Sequence, residues 1–196
     1  MDKEEGVADT QPDGSPAPVA NLYVERDADG EFRRALAGHD GVILVQGSRH
    51  VGKSSLVARG LVDNREAGDA VVTTDCAALT SADIESADVL LARFAQAFAD
   101  TLNVETQPAD VWRAARSASV NFERYLRRNV LSGLSSRLIW VIDGVDDLFR
   151  RSYANEVFGL FRSLHNKRSL DPSGPWGQFS LVITYATEAH LFITDV

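Results

Sequence analysis

Between Gly47 and Ser54 the chain reads Gly-Ser-Arg-His-Val-Gly-Lys-Ser, two spaced glycines followed at once by a lysine and a hydroxyl. These residue types in this order suit a polyphosphate. At Gly47 and Gly52 the backbone can turn where a Cβ would clash, so successive N–H groups converge on one anion. A helix opening near Lys53 adds the positive end of its dipole. Lys53 is long enough to reach β- and γ-phosphates, and the Ser54 hydroxyl is placed to ligate Mg²⁺. Ser48, Arg49, His50, Val51 and Ser55 complete the cradle. Arg49 either touches phosphate or a neighbouring copy, or is simply solvated. A glycine-rich turn that happens to carry a lysine is the plain alternative. The apolar run before the loop and the helical pattern after it argue against that alternative.

A phosphate cradle needs a carboxylate for the metal, which takes hard oxygen ligands and keeps much of its water. Asp143 supplies one at the end of Leu138-Ile-Trp-Val-Ile-Asp143, the most apolar run in the chain. A carboxylate ending a buried strand can reach the loop that ends another. Asp146 and Asp147 follow at once. They either polarise a water for attack on a γ-phosphate or cap a helix and face solvent, and Asp146 is the stronger candidate. Thr184 or Thr187, at the end of a later apolar run, can bond the γ-phosphate or the attacking water, or merely satisfy strand-end backbone. His39, His165 and His190 show no metal-ligand spacing. Arg150 and Arg151 read as a solvated face before they read as arginines acting on a neighbour's nucleotide.

The elements that must position these groups alternate. Val42–Val45, Ala70–Asp75, Leu138–Ile142 and Phe179–Thr184 read as short buried strands rich in β-branched residues. Helical spacing appears over 31–37, 54–62, 83–102, 111–134 and 155–164. In the third of these, Ile84, Val89, Leu90, Phe94, Ala97, Phe98 and Leu102 form the inward stripe. Alternation of this kind predicts an α/β fold, a parallel sheet with helices on both faces in three layers. Ligands of such sheets bind at the carboxyl ends of the strands, where Gly47, Asp143 and Thr184 all fall. Residues 1–20 hold little to bury and read as a disordered leader, leaving 21–196 as one domain.

Composition narrows the function classes. With 196 residues, 44% hydrophobic and 24% charged, the chain suits one globular domain. It has no apolar run of membrane-spanning length and an acidic, polar start, so a cytoplasmic setting without membrane contact is expected. A single cysteine, Cys76, excludes an internal disulfide. A net charge of −8 opposes broad binding to nucleic acid.

Four stretches together resemble a known family. Tyr23-Val-Glu-Arg-Asp-Ala-Asp29, Gly47–Leu56, Leu138–Asp147 and Leu181–Ile193 are similar to the AAA-like ATPase domains of bacterial STAND-type signalling proteins. The shared features are the Tyr-Val-x-Arg start, the Arg-His loop before Gly-Lys-Ser-Ser-Leu, and Thr187-Glu-Ala-His-Leu-Phe-Ile193. The resemblance implies a P-loop NTPase that binds ATP with Mg²⁺ through Lys53, Ser54 and Asp143, switches with its nucleotide, and works with further domains or copies of itself. It also implies that the neighbourhood of Tyr23 and Val24 lies by the adenine. Two departures stand out. Gly144 follows the metal aspartate where most AAA-type ATPases have glutamate, so the Asp-Gly-Val-Asp-Asp pattern is closer to the NACHT class, and hydrolysis is expected to be slow. The chain also stops soon after the fourth strand, where the family continues into a fifth strand and a lid, so a partial domain is expected.

The leading reading is an ATP-binding, Mg²⁺-dependent, slowly hydrolysing nucleotide switch. The competing readings are a DNA-associated loader-type ATPase, disfavoured by the acidic balance, a small-molecule kinase, for which no acceptor-site arginines are visible, and a non-catalytic scaffold.

Overall fold

A computed structural model describes residues 23–186. The expected leader, Thr187, His190 and the stretch from Thr187 to Ile193 lie outside the described residues.

Four strands form one parallel sheet: β1 (Val42–Gln46), β2 (Ala70–Asp75), β3 (Leu138–Asp143) and β4 (Phe179–Tyr185), in the order β1-β4-β3-β2. The helices that connect them are α1 (Asp27–Ala37), α2 (Lys53–Gly60), α3 (Val62–Glu66), α4 (Ala87–Leu102), α5 (Pro108–Val111), α6 (Ala118–Tyr125) and α7 (Ala154–Leu170). The two interior strands, β3 and β4, are buried on both faces, which explains their unbroken apolar sequence.

Alternation along the strands sorts the core into two halves. Ile139, Val141, Val182 and Ile43 face Phe32 and Leu36 of α1 and Leu56 and Val57 of α2. Trp140, Ile142, Leu181 and Ile183 face α4, α6 and α7 on the other side. The result is the three-layer α/β arrangement expected from the strand and helix alternation.

Trp140 is the centre of the larger half. Its ring lies 5.3 Å from that of Phe94, 5.1 Å from Phe98, 5.5 Å from Phe122 and 5.5 Å from Phe161. Most of these are edge-on contacts, the arrangement favoured by ring quadrupoles. Its indole N–H donates to the Thr74 hydroxyl at 3.1 Å, so the one polar atom in the cluster is satisfied.

In the smaller half, Gly60 of α2 sits so close to α1 that a Cβ there would lie 2.4 Å from the Phe32 ring. At the opposite end of the sheet from the strand carboxyl ends, buried Arg137 donates to Leu36 O at 2.7 Å and to the Ser180 hydroxyl at 2.8 Å, tying α1 to β4.

Element boundaries depart from the sequence reading in several places. Helix α1 begins at Asp27, four residues early, because Asp29 accepts the Arg26 N–H at 2.9 Å and closes the first turn from inside. The loop helix breaks after Gly60, and 62–66 forms a separate short helix where a turn was expected. The helix expected from Asp83 starts only at Ala87, capped by the Ser86 hydroxyl, since Thr80 and Asp83 bond each other in a preceding turn. Val89, expected inside, is 39% exposed for the same reason. The stretch 111–134 is not one helix: α6 passes into a π-helical turn over Leu126–Val130. Finally, α7 runs six residues beyond Leu164.

Truncating Trp140 to alanine should cost about 3–5 kcal/mol, from lost aromatic packing plus a residual cavity and an orphaned Thr74 hydroxyl. Urea denaturation followed by far-UV circular dichroism measures this, and a loss under about 1 kcal/mol would mean the cluster is not the folding core.

Candidate functional site

The loop between β1 and α2 is built from backbone conformation first. Strand β1 delivers the chain to Gly47, whose N–H donates to Tyr185 O at the end of β4, 3.2 Å away. Two residues of the loop then take left-handed backbone, His50 at φ 64° and Gly52 at φ 84°. At Gly52, immediately before α2, a side chain would be strained, and this turn is what aims the following N–H groups at the loop's centre. Helix α2 carries no acid in its first turn, so nothing neutralises its positive end.

Within the loop, Lys53 Nζ donates to Gly47 O at 2.9 Å and to Ser48 O at 3.1 Å. The ammonium therefore sits inside the curl of the loop, bracing it. Ser48, Arg49, His50, Val51, Ser54 and Ser55 are all exposed around it, leaving the cradle open to solvent.

The second half of the site lies across β4. Asp143 ends β3, and the register sets it beside Asp75 at the end of β2. Thr184, fully buried near the end of β4, donates its hydroxyl hydrogen to Asp143 Oδ1. The Thr184 hydroxyl oxygen in turn accepts the Gly144 N–H at 2.9 Å. Thr184 was read either as a contact to phosphate or water or as a hydroxyl that satisfies strand-end backbone. In the structure its hydroxyl bonds the Asp143 carboxylate and the Gly144 N–H.

Asp146 and Asp147 sit on the 3₁₀ turn Val145–Arg150 that follows. The half-buried Asp146 carboxylate accepts the Ala186 N–H at 3.0 and 3.2 Å, which ties this turn to the end of β4. Asp147 is exposed. Arg150 and Arg151 are also exposed on the turn's far end.

Two features of the site escaped the sequence reading. The first is Asp75 with its neighbour Cys76. Burial pushes the Cys76 thiol up to about 12, and the charges of Asp75, Asp143, Asp147 and Asp146 push in the same direction. These four carboxylates thus all lie within electrostatic reach of one thiol at the strand ends. The signal was legible: Val71-Val-Thr-Thr-Asp75 repeats the apolar-run-then-aspartate pattern of the Asp143 strand.

The second is a latch behind the loop. The Tyr23 hydroxyl donates to Asp29 Oδ1 at 2.5 Å and accepts from Arg26 Nη2 at 2.8 Å. Arg26 Nη1 then donates to Val51 O at 2.6 Å, so the segment before α1 is bonded directly to the phosphate loop. The Arg59 guanidinium of α2 lies over the Tyr23 ring, 4.3 Å from its centre. The Tyr-Val-x-Arg start is thus spent on holding the loop from behind.

The donor set suits a nucleotide triphosphate with Mg²⁺. Among the described residues no group of three or more His, Cys, Asp or Glu could hold a metal by itself. An ion here would instead combine the Ser54 hydroxyl and Asp143 with phosphate and water oxygens, the coordination Mg²⁺ prefers. No helix of the described residues is long and apolar enough to cross a membrane.

The family model for an AAA-like domain matches residues 11–195. No curated protein matches the chain. Among solved structures, a DNA replication initiation factor aligns with 90% of this chain at 16% identity and a TM-score of 0.46. This chain covers 44% of that protein's length, and a likeness so distant carries no argument about what this one does.

Burial opposes ionisation of Asp29, but the hydrogen bonds from Tyr23 and the Arg26 N–H, with the Arg26 charge, outweigh it and hold the carboxyl below its usual range. A carboxyl depressed in the folded state stabilises it above the unfolded pKa, and that contribution is lost as pH falls through the folded value. The melting temperature of Asp29→Asn should therefore lie below the parent's at pH 7, with the gap closing below about pH 4. A gap of the same size at pH 7 and pH 3 would remove the latch as an ionic one.

Proposed function

The chain belongs to the AAA-like domain family, and we propose that it is an ATP-binding, slowly hydrolysing nucleotide switch of a STAND-type signalling protein. The observation that carries this reading is the pairing of the Lys53-braced loop with an Asp143 carboxylate that Thr184 holds in place across β4.

The parts divide the work as follows. The backbone N–H groups of 48–55 and the N-terminus of α2 bind the phosphates. Lys53 exchanges its loop carbonyls for β- and γ-phosphate oxygens, keeping the curl of the loop while neutralising charge. Ser54 and Asp143 would hold Mg²⁺, which when bound neutralises charge on the phosphates. Thr184 holds one oxygen of the Asp143 carboxylate and leaves the other for that role. Asp146, anchored by the Ala186 N–H, orients the attacking water, with exposed Asp147 beside it.

Hydrolysis is slow in this arrangement because Gly144 stands where a water-activating acid would directly follow the metal carboxylate, and Asp146 is already engaged by backbone. A bound γ-phosphate then persists, as a switch requires. The Arg26 bond to Val51 O supports the same reading, since it joins the phosphate loop to the segment that enters α1. Net charge of −8 weighs against nucleic acid as the partner, and further domains or copies of this chain fit better.

Calorimetry with MgATP on the parent and Lys53→Ala tests the proposal. Binding is expected in the parent and a loss of at least about tenfold in the variant, with phosphate release below about one turnover per minute. Equal binding by both chains would sink it, and fast turnover would replace the switch with a complete ATPase. A second expectation concerns Thr184→Val. Freeing the Asp143 carboxylate should raise the Mg²⁺ concentration needed for tight ATP binding by about 10- to 100-fold, while metal-free ATP binding stays unchanged. An unchanged Mg²⁺ requirement would deny Thr184 its positioning role.

A further inference from the structure

On the helical layer opposite α2, well away from the phosphate loop in the fold, lies a cavity of about 290 Å³. Its lining is Arg113, Arg116, Arg124 and Arg128, with Asn121, Asn129, Tyr125 and Val111. Four guanidinium groups around one concavity are unexpected in a chain of net charge −8.

The sequence and the local structure both aim them there. Asn121, Arg124, Tyr125, Arg128 and Asn129 recur at helical spacing, so α6 and its continuation present one cationic, polar face. That continuation is the π turn Leu126–Val130, in which the Leu131 N–H reaches back to Leu126 O. Single π turns inside helices are costly and recur at functional sites. Arg113 and Arg116 come from the facing segment, which buried Asn121 holds in place: its amide donates to Arg113 O at 2.9 Å and accepts the Arg113 N–H at 3.1 Å.

Three acids of this neighbourhood are engaged elsewhere. Glu123 pairs with Lys167, Asp110 accepts the Gln107 N–H, and Asp100 accepts from Gln96. Among the described residues none of the four arginines forms an ion pair with a carboxylate. Arg113 Nη1 donates to the backbone carbonyls of Asp110 and Trp112, which aims that guanidinium without neutralising it. Like charges gathered without a counter-charge repel, and a bound anion is the direct way to relieve that.

We propose that this cavity is a second binding site, for a compact and multiply charged phosphoryl compound such as an oligophosphate or a small phosphorylated metabolite. Guanidinium forks match phosphate oxygens two at a time, which a lysine patch would not. The volume admits a group of few phosphates and little else. An extended polyanion is a poorer occupant: the arginines line a bounded concavity, and the protein's overall negative charge repels a long one.

The test is calorimetric titration of inorganic tripolyphosphate into the full chain carrying Lys53→Ala, which weakens the phosphate loop as a competing site. Binding is expected to persist in that background. Adding Arg124→Gln with Arg128→Gln should weaken it at least about tenfold, since two charge-assisted pairs are removed. Arg124→Lys with Arg128→Lys should weaken it less, and Arg127→Gln, exposed and outside the lining, should leave it unchanged. If the paired glutamine variant fails to fold by circular dichroism, Arg113→Gln with Arg116→Gln on the facing segment should give the same loss. Absence of binding once Lys53 is replaced, or equal binding by the glutamine variants, would overturn the proposal. So would tighter binding of a single-stranded 20-nucleotide DNA through these same arginines, which would make the site a nucleic-acid surface instead.

Discussion

The Thr184 hydroxyl orders the strand end that carries Asp143. It is buried, it can donate only once, and it donates to Asp143. Its oxygen then takes the Gly144 N–H, which fixes the turn leaving β3. This bond exists only because β4 lies between β1 and β3 in a parallel register that pairs Ile142 with Ile183 and Val45 with Thr184. A slip of one residue would turn Thr184 toward the opposite face of the sheet and leave Asp143 without its donor. The packing of both helical layers that pins the register is therefore also what fixes the Asp143 carboxylate.

The loop side of the site obeys a different logic. Nothing in the core reaches it, and its shape comes from left-handed turns at His50 and Gly52, from Lys53 folded onto two carbonyls, and from Arg26 on a third. Cations satisfy backbone oxygens here that would otherwise face water. The loop is thus held in shape partly by positive charge on its carbonyls and partly by the Gly47 N–H on Tyr185 O. The strand ends opposite present four aspartates and a thiol pushed up to about 12 by burial and by their charges. One rim of the cleft is positive and the other negative, the polarity that a phosphate bridged to a divalent ion requires.

Much of this was legible in the sequence. The strands were readable because β-branched runs bounded by turns have few other uses, and Ala70–Asp75 appears with the bounds expected of it. The loop was readable because its glycines, lysine and serine are set by chemistry at fixed spacing. Helix starts were less legible. Asp29 acts from within the first turn of α1, which starts four residues before the helical spacing was read to begin, and Ser86 caps α4 three residues after Asp83, where helical spacing was read to start. The π turn after Tyr125 leaves no mark in the periodicity, because one extra residue per turn shifts the apolar stripe by less than the spacing of the stripe itself. The Tyr23–Arg26–Asp29 latch was hidden for another reason: its partner is the carbonyl of Val51, and a backbone atom has no sequence signature.

The seat of Phe32 against Gly60 has a mechanical meaning. The ring fills the space that any side chain at position 60 would need, so it packs directly on the backbone of α2. The α2 half of that contact has no rotamers with which to absorb motion. Helix α2 begins at the phosphate loop and α1 begins at Asp27, just after the Arg26 that bonds Val51 O. The loop and its helix are therefore tied to the α1 segment twice, by a hydrogen bond at the loop's rim and by a ring on bare backbone. A methyl group at position 60 would wedge these two helices apart from the end of α2 far from the loop.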